Sequence, residues 1–168
     1  MTQDLTGFRP SRLWRRMPLD RRTTAAELFW TDEQSAEQQM EAVAAIASHM
    51  KFRPRSVMGL PIERLTKYLA TLPAVPDTVA ARALVNYHLA RQRPMMAAFL
   101  DTLGIPHEEG LISEETVPKP DPDKLKQAAA TLGAQYPGDE VTLYLSTLVS
   151  QDPETWGGLV DVVQASAT

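Results

Sequence analysis

His88 and Arg91 stand three positions apart in LVNYHLARQ, so on a helix they share a face with Ala80, Leu84 and Tyr87. An imidazole set among apolar residues can take or give a proton near neutral pH, and a guanidinium can grip a carboxylate or phosphate through two parallel hydrogen bonds. Further on, His107 is followed by Glu108, Glu109 and Gly110, an imidazole beside carboxylates in a turn, which is the chemistry of a proton relay or a metal ligand. His88, Arg91, His107 and Glu108 are therefore the candidate catalytic set for small-anion binding or acid–base work. Each has a plainer role too. Near a helix C-terminus, His and Arg satisfy free carbonyls and the helix dipole.

Other chemistries lack their residues. The chain has no cysteine, which removes thiolate catalysis and sulfur-ligated metals. HEEG is not the two-histidine helical zinc pattern, and His49 belongs to the polar side of its helix, so no metal site is expected. There is no serine elbow and no glycine-rich phosphate loop with its lysine, and no cofactor is implied. DPDKLK at 121–126 begins like a calcium loop but has Leu125 at the fifth ligand position, so it reads as a helix cap.

A second set of residues points to association. Residues 1–22 carry Arg9, Arg12, Arg15, Arg16, Arg21 and Arg22 against Asp4 and Asp20, a net of +4. From position 100 onward, twelve acids face only Lys119, Lys124 and Lys126, a net of −9. Gly7, Pro10 and Pro18 suggest an irregular N-terminal arm, followed by a single helical domain over 23–164. In that arm Phe8, Leu13 and Trp14 are apolar anchors, and Arg12, Arg15 and Arg16 would pair with carboxylates of a protein partner or a second copy of the chain. Trp14 among arginines, joined by Lys51, Arg53, Arg55, Arg64 and Lys67, also offers a way to hold nucleic acid. The overall charge of −4 and the lack of a recognition-helix signature speak against it. No run of 18 apolar residues suits a membrane, no secretory leader is recognisable, and a cytoplasmic location is expected.

Apolar spacing of three and four supplies the elements that must position these residues. It predicts helices over about 32–50, 61–72, 77–91, 94–103, 121–132, 138–150 and 152–164, with the segment 24–30 ambiguous. Thr31 and Gln34 read as a capping box opening the first, with Ala36, Met40, Val43, Ala44, Ala47 and Met50 inward. Gly133 reads as a helix stop, and Gly157-Gly158 weakens the last helix. The expected fold class is all-α, an irregular bundle of six or seven helices with short proline-marked links. MGLPIE at 58–63 and LGIPHE at 103–108 resemble one another 45 residues apart, a weak hint of a helical repeat.

Overall fold

Proline opens helices throughout this chain, because its missing N–H falls where a first turn has no acceptor to offer. The computed structural model describes residues 4–115 and 117–166. Pro10 sits in the first turn of α1 (Pro10–Arg16), and Pro18 precedes α2 (Leu19–Thr31). Then follow α3 (Ala36–Met50), α4 (Pro54–Met58), α5 (Ile62–Thr71), α6 (Asp77–Arg91) and α7 (Arg93–Leu103). A hairpin of two-residue strands, β1 (His107–Glu108) and β2 (Leu111–Ile112), comes next. The chain ends in α8 (Pro122–Gln135), α9 (Gly138–Gln151), α10 (Pro153–Trp156) and α11 (Val160–Ser166).

The all-α expectation holds, but the count of six or seven helices does not. Among the described residues there are nine α-helices of seven residues or more. The two extra ones lie in and just beyond the stretch expected to be irregular, where Pro10 and Pro18 start helices instead of interrupting them. The glycine pair does divide the C-terminal helix: Gly157–Leu159 is a single 3-10 turn between α10 and α11. Gly133 does not stop α8, which runs on to Gln135.

Local caps also differ from the expected ones. Thr31 ends α2, and its hydroxyl donates back to the carbonyl of Glu27 at 2.9 Å. The cap is Asp32, whose Oδ1 accepts from the Gln34 N–H at 3.0 Å. Asp121 precedes α8 without a side-chain cap bond, whereas Asp152 accepts from the N–H of Thr155 at 3.2 Å and from its hydroxyl at 2.6 Å. These bonds, the hydroxyl's first, hold the Asp152 carboxyl below the usual carboxylate range.

The described chain forms two compact units. In the unit of residues 9–90, α2 lies along α5, and α3 packs on α4 and α5. Ala25, Ala26 and Phe29 of α2, Ile46 of α3, Val57 of α4 and Leu69 of α5 are completely buried. A side chain the size of Phe29 stabilises by about 1.5–3 kcal/mol when it leaves water. The inward face of α3 is rotated from the expected one: Val43 and Ala47 are buried as expected, but Ala42 and Ile46 join them, while Ala36, Met40 and Ala44 are exposed.

In the unit of residues 4–8 and 91–166, α8 packs on α7, and α9 packs on α8, α10 and α11. A 3-10 turn at Thr6–Phe8 lies on α9 and buries Phe8. The centre is aromatic. Phe99 meets Tyr144 edge-on at 5.8 Å and Trp156 at 6.1 Å, and burial raises the Tyr144 phenol above its ordinary pKa. MGLPIE and LGIPHE have unlike geometry: Gly59 is right-handed before α5, and Gly104 is left-handed, at φ 71°, before the hairpin.

Candidate functional site

The four candidate catalytic residues are differently placed. His88 is buried on α6, edge-on to the ring of Tyr87 at 5.9 Å. Arg91, the last residue of α6, is exposed. His107 opens β1 with both ring nitrogens engaged: Nδ1 accepts the Gly110 N–H at 3.1 Å, so Nε2 carries the proton and donates to Asp101 Oδ1 at 2.6 Å. Those bonds fix a tight hairpin. Gly110 has φ 89°, and a Cβ there would fall 2.8 Å from Cβ of Met96 and 3.1 Å from the Arg93 carbonyl oxygen. Glu108 points to solvent beside them. Among the described residues no group of three or more His, Asp or Glu is placed to hold a metal ion, and no helix is long and apolar enough to cross a membrane.

The association residues are split by burial. Phe8, Leu13 and Trp14 are buried within the chain, each at 5% exposure or less, while Arg12, Arg15 and Arg16 are exposed. The arm is tied down by charge as well. Arg9 reaches Asp77 Oδ2 through Nε at 3.1 Å and Nη2 at 2.8 Å, and the Ser11 N–H donates to Asp77 Oδ1 at 3.0 Å. Ser11's hydroxyl first, and Arg9 with it, lower the pKa of Asp77.

Two polar clusters in the 9–90 unit have no counterpart in the motifs read from sequence. The first joins the α2–α3 turn to α6. Ser35, wholly buried, donates to Asp32 Oδ2 at 2.6 Å and accepts from Arg82 Nε at 2.8 Å; Arg82 Nη2 reaches the same Asp32 oxygen at 3.1 Å. Gln39 closes it from the other side, donating to the carbonyls of Phe29 and Asp32, each at 2.9 Å. The Ser35 hydroxyl, then the Gln34 N–H and Arg82, lower the pKa of Asp32.

The second cluster surrounds a cleft of about 500 Å³ between α1, the start of α2 and the loop from α5 to α6. Trp14, Arg15 and Arg22 line one side and Leu72, Pro73 and Val75 the other. Arg15 Nη2 donates to the Pro73 carbonyl at 2.7 Å across the cleft. Trp14 Nε1 and Arg22 Nε are buried with no acceptor among the described residues. Buried donors are rarely left so, since each costs about 1–3 kcal/mol.

The arginines of α1 were legible as exposed charge, but Arg22, on α2, joins Ser11 and Arg15 of α1 at the cleft only through the turn between the two helices. No family model, no curated protein and no solved structure matches the chain.

Proposed function

We propose that this chain works by protein association, docking onto a second copy of itself through a basic and apolar surface of the 9–90 unit. One observation carries this reading. In the eleven residues from Phe52 to Ile62, three large apolar side chains stand open: Phe52 at 43%, Met58 at 54% and Ile62 at 44% exposure. Exposed Lys51, Arg53, Arg55 and Arg64 surround them in sequence, with Glu63 the single acid between. Clustered apolar exposure with one sign of charge is the composition of a contact surface. The arm's exposed Arg12, Arg15 and Arg16 add to the same charge, while Phe8, Leu13 and Trp14 hold the arm to its own chain. The acidic residues from Asp101 to Asp161 supply the complement in every copy.

Native mass spectrometry and sedimentation of the full chain test this. A dimer or larger species is expected at micromolar concentration, dissociating as salt is raised. It should be lost in a Phe52→Ser, Met58→Ser double variant and weakened in Arg12→Glu, Arg16→Glu, with the helical circular dichroism kept in both. A chain that stays monomeric at all concentrations, or a dimer indifferent to these substitutions, removes the reading.

A further inference from the structure

We infer that the cleft between α1, α2 and the α5–α6 loop binds a small organic anion, a carboxylate or phosphate monoester carrying an apolar group. The cleft's size, about 500 Å³, is in the range that encloses small molecules. Its charge is one-sided. Arg22 is half-buried and has no carboxylate partner among the described residues, and Arg15 gives one bond to the neutral Pro73 carbonyl. Asp77, the carboxylate that Ser11 of the cleft reaches, is already taken by Arg9 and the Ser11 N–H. A cation drawn into a low-dielectric wall without its counter-charge is costly, and an incoming anion relieves that cost.

The two orphan donors reinforce the same sign. Trp14 is 98% buried, and its indole N–H, like the Nε–H of Arg22, lacks an acceptor. Both atoms are sealed from solvent, so a ligand first meets the parts of Arg22 and Arg15 that line the cleft. The sealed N–H groups leave positive partial charge in the residues of that wall with no acceptor to offset it. The opposite wall of Leu72, Ala74 and Val75 has nothing to offer a bare ion, but it suits a ring or short chain. Cations on one side and hydrocarbon on the other define an amphipathic anion. This site shares Arg15 with the docking surface proposed above but does not rest on that reading.

The test uses the full chain labelled with nitrogen-15 and titrated with benzoate, phenyl phosphate and inorganic phosphate, following the three indole N–H resonances. Trp30 is the internal control, since its Nε1 is also buried without an acceptor but it does not line the cleft. The Trp14 resonance is expected to move saturably with benzoate or phenyl phosphate while Trp30 and Trp156 stay in place. Movement with only one of the two assigns the head group. Arg22→Gln should weaken binding about tenfold or more, the loss of one hydrogen bond to a charged group. Should that variant fail to fold, Arg15→Gln, at an exposed position, carries the test, with weakened binding expected. Overturning results are no saturable shift with any probe, equal movement of Trp14 and Trp30, inorganic phosphate binding as well as the organic probes, or undiminished binding in the folded arginine variant.

Discussion

Arg82 and Arg22 belong to the same unit, and both are partly buried, yet their surroundings are opposites. Arg82 enters a closed network in which Ser35 and Asp32 meet its guanidinium at 2.8 and 3.1 Å. Arg22 leaves its Nε without an acceptor in a cleft lined by a second arginine. A closed network spends its charge on holding elements together, here the α2–α3 turn to α6. An open one has charge left over, and that remainder distinguishes a binding surface from a brace.

The contrast breaks most visibly in stability. Arg82→Met should cost about 2 kcal/mol, below the value for a fully buried pair because both partners keep some exposure to water. Urea unfolding reads it, and a loss under about 0.5 kcal/mol would make the network ornamental. Acid should act next on the same site. The Asp32 pKa is lower in the folded chain than its ordinary 3.8, so its contribution is present above that value and disappears as pH falls through the folded pKa. Asp77 and Asp152 titrate in the same window, both lowered, so Asp32→Asn is needed to isolate the effect. That variant should show a shallower decline of stability on acidification, and an unchanged slope would mean Asp32 contributes nothing. The smallest effect belongs to Arg22→Met. With no bond to lose, it should leave stability within about 0.5 kcal/mol of the parent or raise it. A penalty matching that of Arg82→Met would erase the distinction between the two arginines.

Much of the helical pattern was legible because apolar residues at three and four mark buried faces whatever the neighbours are. Leu65, Leu69 and Leu72 are buried as their spacing implies, whereas Ile62 at the head of the same stripe is exposed. The face of α3 is legible only in part, at Val43 and Ala47, because alanines line both sides of that helix and Met40 falls on the exposed one. Ile46 and Val43 are what its neighbours bury. The N-terminal helices were hidden by prolines, which break a helix in its interior and begin one at its first turn, so the same letter reads both ways. TDEQS did announce a cap, but Thr31 and Asp32 are both fit for it, and Thr31 is taken into the last turn of α2 with its hydroxyl on the Glu27 carbonyl, which leaves the cap to Asp32. The cleft lay furthest out of reach. An orphan N–H is defined by what fails to face it, and no local spacing records that.

Gly110 bears on how relatives of this chain are to be sought. Its backbone takes a left-handed turn, and the space where a side chain would begin is filled by Met96 and the Arg93 carbonyl. The hairpin thus admits one residue type at one position, with His107 three places before it accepting that residue's N–H. Another sequence can keep this turn only with a glycine seven places after the last residue of the matching helix. A sequence with any other residue would have had to rebuild it.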